Sequence, residues 1–259
     1  MYEDAFSPLE PLDELPPHPP PEVDVELMLQ QLQDRDPYLR IQAVRAFCDI
    51  EEPRAVQHLL ALVRDPCPLV RVGAAYALGR NPDPSGVEVL IEGLRWDWNG
   101  YVRKGLVWAL GNAKDPRAYP VLMEALAGDI TAVRLWAAGA LGQLAQALPS
   151  SALPEVVAAL CRGLASDPVA PVRGNCAWAL GILGQQLKQQ LKQMPMDPIQ
   201  DQAPYLTLIR QLLASASGDP DWGVRDDARL SLQKLADPET ESFLQEQLES
   251  LDGSDQMMN

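Results

Sequence analysis

Six segments along the chain share one pattern, in which a bulky apolar residue is followed by an arginine: Arg40, Arg71, Arg103, Arg134, Arg173 and Arg225. Successive copies lie 31, 32, 31, 39 and 52 residues apart. The preceding residues are Leu39, Val70, Val102, Val133, Val172 and Val224, and eight positions beyond each stands Phe47, Leu78, Leu110, Leu141, Leu180 or Leu232. Upstream of each lies an aspartate: Asp34, Asp65, Asp97, Asp129, Asp167 or Asp219. Proline follows it directly in three copies (Pro66, Pro168, Pro220), and Asp36-Pro37 serves similarly in the first. Aspartate suits a helix N-cap and proline the first helical turn, so D-P-x-x-V-R predicts a helix start at every copy. A unit of this length cannot bury its apolar face alone, so the copies must stack on one another.

The stretch from Gly86 to Pro116 gives the plan of one unit. Val87, Leu90, Ile91 and Leu94 fall at i, i+3, i+4, i+7, and Val102, Leu106, Ala109 and Leu110 at i, i+4, i+7, i+8. Each set is one stripe of a 3.6-residue helix. Two short helices joined by a turn are predicted, with Gly111 as a left-handed C-cap. The predicted fold is therefore an all-α solenoid of about six helix pairs.

Residues 1–22 are acidic and proline-rich, and proline at that density favours an extended, solvated chain. They are read as a disordered tail, or as a docking peptide for a basic or aromatic-lined groove. The solenoid is placed at 23–252, with an insertion at 185–204 and a second disordered tail at 253–259. Between the fourth and fifth copies the helix is predicted to run on through residues 143–148 before Pro149. A last amphipathic helix, Glu239 to Leu251, is read as a C-terminal cap.

The formal net charge of -15 sits at the two ends. Residues 1–26 carry eight carboxylates and 237–259 carry seven, neither with a Lys or Arg, so the body between them is neutral. Nucleic acid binding needs a basic face that releases condensed counterions, and acidic ends work against it. No apolar run approaches a membrane span, and no basic-then-apolar start resembles a secretory signal. Cys48, Cys67, Cys161 and Cys176 are far apart with no C-x-x-C pair, which suits reduced thiols in the cytoplasm. No phosphate-cradling glycine loop or serine elbow occurs, so no catalytic residue, metal ligand or resident cofactor is assigned.

Aromatic residues are the best functional signal. Counting from the residue before each arginine, Tyr76, Trp108 and Trp178 occupy the sixth following position, and Trp136 the third, on one helical face. That face points roughly opposite the core stripe. Otherwise it carries small or polar residues and cations, among them Arg45, Gly73, Arg80, Gly105, Asn112, Gly139, Gln143 and Asn175. Large aromatics beside glycines and arginines have the composition of a binding hot spot. Trp96, Trp98, Tyr101 and Trp222 fall in the turns and are predicted to line one rim of the same groove.

The Asp-Pro turn, the Val-Arg opening and the Ala-Leu-Gly close (77–79, 109–111, 179–181) resemble HEAT repeats. More narrowly they are similar to the HEAT-like repeats of the cyanobacterial phycobilin lyase family. The resemblance covers about residues 25–250. It implies that the second helices line a concave surface, and that the arginines pair with neighbouring aspartates in a structural ladder. It implies an adaptor or scaffold, binding a phycobiliprotein, a lyase partner subunit or a cofactor-assembly protein. A phycobilin lyase or bilin-detachment factor is the alternative it implies, with a bilin held as ligand: Arg45 or Arg80 would pair its propionates, and Trp108 or Trp178 would stack on its pyrroles. An accessory to an iron–sulfur carrier protein is a third. The iron sites of the hydroxylases that share this repeat are excluded, since the two histidines, His18 and His58, form no His-Glu pair.

Overall fold

Each predicted unit does become two antiparallel helices, because each holds two apolar stripes separated by a turn. In a computed structural model, residues 23–193 and 203–235 are described. Among them are twelve α-helices. The first of each pair are α1 (Val25–Gln31), α3 (Val56–Leu62), α5 (Val87–Trp96), α7 (Tyr119–Gly128), α9 (Leu153–Ser166) and α11 (Ala203–Gly218). The second are α2 (Pro37–Ala46), α4 (Pro68–Arg80), α6 (Gly100–Ala113), α8 (Thr131–Gln143), α10 (Ala170–Gln193) and α12 (Trp222–Leu235). Among the described residues no helix is long and apolar enough to cross a membrane.

Second helices pack side by side in chain order, α2 on α4 through to α10 on α12, and make most of the contacts between units. First helices meet more loosely except at α9 and α11. One continuous core runs between the two layers, with Phe47, Leu59, Leu106, Leu110, Leu122, Leu141, Leu160 and Leu180 sealed from solvent. The second helices form the more closely packed layer of the stack, and its outward face is called the inner wall below.

The arginine ladder is present, and its direction is set. Nε and Nη2 of Arg71 donate to the two carboxylate oxygens of Asp97 in the next unit, at 2.6 and 3.1 Å. Arg40 pairs in the same way with Asp65, Arg103 with Asp129, Arg134 with Asp167 and Arg173 with Asp219. Nη1 of each arginine turns back to its own unit, as from Arg103 to the Asp97 carbonyl at 2.9 Å. Each guanidinium thus spends one edge on its own turn and the other on the next unit, the fork geometry that a lysine cannot supply.

Three expectations are corrected. The ladder aspartates are not the N-caps of the second helices: Asp97 ends α5 and accepts from the Asn99 N–H, while Asn99 caps α6. Gly111 is not a left-handed cap either, for it lies inside α6 and the left-handed residue is Lys114, at φ 50°. The helix after the fourth copy stops at Gln143 and a short 3-10 turn follows over Ala145–Ala147, with Leu144 and Leu148 returned to the core. Within the insertion, α10 continues to Gln193, so its first half is helix. Both tails and the expected capping helix at 239–251 lie outside the described residues.

Candidate functional site: an aromatic groove on the inner wall

On three adjacent second helices, α6, α8 and α10, the sixth-position register gives Trp108, Gly139 and Trp178, and the third position on α8 gives Trp136. Trp108, Trp136 and Trp178 converge on an open groove of about 310 Å³, completed by Leu135, Ala140, Gln143 and Asn175. Tyr76 joins through Trp108, the two rings lying 5.6 Å apart at 44°. The ammonium of Lys104 sits 5.4 Å from the centre of the Trp136 ring. No carboxylate lines the groove.

Trp108 and Trp178 are only partly open, because each of these two rings seats on a glycine of the preceding second helix. A Cβ on Gly79 would overlap Cε3 and Cζ3 of Trp108, and one on Gly142 would lie 2.9 Å from Cζ3 of Trp178. Trp178 keeps 37% of its surface exposed; Trp108, Trp136 and Tyr76 are half-buried. In two copies of Ala-Leu-Gly, at Gly79 and Gly142, the glycine is thus a socket for the next unit's ring. Polar residues on this face also bind units together. The Asn112 amide donates to the Gly79 carbonyl and the Asn175 amide to the Leu135 carbonyl, both at 2.9 Å.

Arg45 and Arg80 do not line this groove; both are exposed, and Arg80 lies 3.5 Å from Glu51. Trp96, Trp98, Tyr101 and Trp222 do not line it either. They stand on the edge of the stack where second helices begin, 82%, 76%, 74% and 74% exposed. Tyr38 and Leu69 continue that edge, and Arg71 places its guanidinium 5.7 Å from the Trp98 ring. The structure therefore divides the expected site into an inner groove and a separate apolar edge.

A wider cleft, about 740 Å³, opens between the first helices α7 and α9. It has no aromatic wall, and the structural pair Arg134–Asp167 borders it. Burial pushes the thiols of Cys48 and Cys161 up to about 11 and that of Cys176 up to about 12, which keeps them protonated and poorly nucleophilic. Among the described residues no group of three or more His, Cys, Asp or Glu side chains is placed to hold a metal ion.

Sequence reasoning missed Lys104, which follows an arginine already assigned to the ladder. It also missed Asn81, whose buried amide donates to the Phe47, Ile50 and Ala77 carbonyls and so ties two units together. Its only signal is an asparagine just after a helix, where capping is the common use.

Stacked helix pairs, a ladder between their turns and an open inner wall define a repeat solenoid. The family model for HEAT repeats matches residues 25–103 and 87–181, and the chain belongs to that family. No curated protein sequence matches it. Among solved structures, an engineered protein is 22% identical over 83% of this chain and 97% of its own, with a TM-score of 0.57. A designed armadillo repeat protein in complex with a (KR)4 peptide is 18% identical over 83% and 100%, with a TM-score of 0.56. The complex of CpcE and CpcF of phycocyanin lyase from Nostoc is 22% identical over 86% and 90%, with a TM-score of 0.54. At these identities the likeness is one of fold.

Proposed function

We propose that this solenoid is a scaffold that binds a partner protein through its inner aromatic groove and its exposed turn edge, without covalent chemistry of its own. The observation that carries the reading is the convergence of three tryptophans from three successive units on one open groove. Aromatic anchors held rigidly beside space are what interface hot spots require. The edge formed by Trp96, Trp98 and Tyr101 adds exposed apolar surface of the kind that marks interaction sites. Two of the fold's relatives supply precedents for a peptide or protein ligand, one bound to a (KR)4 peptide and one a complex of two chains. The likeness to the phycocyanin lyase complex extends the reading to a phycobiliprotein, a lyase partner subunit or a cofactor-assembly protein as the partner.

A bilin is the alternative occupant, favoured by the three indoles and by Lys104 beside them. Two features weigh against it. A linear tetrapyrrole is larger than a groove of about 310 Å³, and its two propionates would meet one cation there, since Arg45 and Arg80 stand elsewhere. The iron–sulfur accessory reading has no observation of this structure behind it.

Selection of a displayed peptide library on the immobilised protein tests the scaffold. The expected outcome is binders whose affinity falls at least tenfold with Trp136→Ala or with Trp96→Ser and Trp98→Ser together. Binders indifferent to all of these substitutions, or none at all, would reject it. A saturable red shift of free phycocyanobilin, lost with Trp108→Ala, would instead favour the bilin.

A further inference from the structure

The aromatic register on the inner wall misses one rung. Tyr76 on α4, Trp108 on α6 and Trp178 on α10 occupy equivalent positions, and the equivalent residue on α8 is Gly139. The neighbouring rungs are seated on glycines, Trp108 on Gly79 and Trp178 on Gly142. The glycine that would seat the missing one, Gly111, is covered instead by the side chains of Gln143 and Ala140. A Cβ added at Gly139 would meet nothing nearer than Nδ2 of Asn175, at 3.9 Å. The groove of about 310 Å³ is this vacated space, with Trp108 and Trp178 on either side and Trp136 beside them.

Resting on the scaffold reading above, we propose that the slot at Gly139 takes one planar aromatic side chain from a partner segment that carries carboxylates next to it. Shape argues for a ring. The space belongs to a register that the units on both sides fill with indoles, and a ring entering there gains offset or edge-to-face contacts with three more. Charge argues for acidic neighbours. Lys104 holds its ammonium 5.4 Å from the Trp136 ring, so a basic residue entering the slot meets a like charge. With no carboxylate in the lining, nothing offsets that repulsion, whereas an Asp or Glu beside the incoming ring pairs with Lys104. Gln143 and Asn175 give the rim polar groups for the backbone of the incoming segment.

The test uses the full chain and a synthetic heptapeptide with 5-fluorotryptophan at its centre and three glutamates on each side, followed by fluorine NMR. Saturable binding to the wild type and to Gly139→Ala is expected. Gly139→Trp supplies the missing rung from the protein itself and should weaken binding at least tenfold while the melting temperature holds. Lys104→Gln, which leaves the walls intact, should weaken binding several-fold for the glutamate peptide and not for its glutamine counterpart. Equal binding by wild type and Gly139→Trp would overturn the proposal, as would a lysine-flanked peptide that binds as tightly as the glutamate one. Residues 1–22 also carry aromatics, Tyr2 and Phe6, among carboxylates without a base. Binding that appears only after Tyr2→Ala and Phe6→Ala would assign the slot to that segment and overturn a partner in trans. Library-selected binders that respond to Trp96→Ser and Trp98→Ser but not to Gly139→Trp would sink the slot and leave the scaffold standing. No selected binder at all would sink the scaffold itself.

Discussion

Two glycines on second helices two units apart have opposite duties, and substitution by the same residue separates them. Gly79 is buried under the Trp108 indole, so an alanine methyl there must displace the ring. Gly79→Ala is expected to destabilise by about 1–3 kcal/mol, the usual range for overpacking, despite the better helix propensity of alanine. Gly139 faces open space inside α8, so Gly139→Ala should stabilise by about 1 kcal/mol. Denaturant midpoints of the two variants check both signs at once; equal destabilisation would mean that the slot is not empty. This distinction is invisible in the sequence, where both are small residues on the same helix type. Periodicity assigns a residue to a face of its own helix, but the socket under Trp108 is made by a different unit. It follows from the distance of approach between α4 and α6, which no spacing within one unit contains.

At the scale of an element, the turns carry more of the design than the helices. The Asp-x-x pattern before each arginine is legible because it is local and repeated, and so is the helix pair it introduces. A second signature repeats just as locally before the first helices: Glu52-Pro53, Asp83-Pro84 and Asp115-Pro116, each acid accepting from the N–H two residues on. An alignment on the ladder arginines does not contain it, because those arginines mark second helices only. The apolar edge formed by the turns before the second helices is legible as aromatic residues in loops, but its separation from the groove depends on which end of a helix faces which wall. Trp96 touches little, so Trp96→Ser should change stability by less than about 0.5 kcal/mol. Trp98 lies against the Arg71 guanidinium, and its removal should cost about 0.5–1 kcal/mol more. Thermal melts of the two single variants test the difference, which should shrink in an Arg71→Lys background.

Across the whole molecule the ladder converts local turns into one cooperative stack, because every rung joins unit n to unit n+1. Removing a central cation strands a buried carboxylate. Arg71→Met, which leaves Asp97 unpaired with both side chains of the rung largely sealed, should therefore cost about 3–5 kcal/mol. Arg225 has no carboxylate of a following unit among the described residues and bonds only to the carbonyls of Asp219 and Pro220, so Arg225→Met should cost about 1 kcal/mol. Two of the rungs, those at Asp167 and Asp219, shape the response to acid. Hydrogen bonds from the Arg173 guanidinium hold the Asp219 carboxyl below the ordinary aspartate value against the opposing effect of burial. At Asp167 burial is the larger single influence and acts upward, yet Arg134, the Val169 N–H and Arg173 together carry the balance downward. A carboxyl whose pKa is lower folded than unfolded stabilises fully above the unfolded value, about 3.9. That contribution declines below it and is gone once the pH has fallen through the folded value. The melting temperature should accordingly be flat with respect to these groups from neutrality down to about pH 5 and fall steeply below about pH 4. Asp219→Asn should lower the melting temperature at neutral pH and make the acid limb shallower. An unchanged acid limb in that variant would mean that the ladder does not govern the stability of the stack.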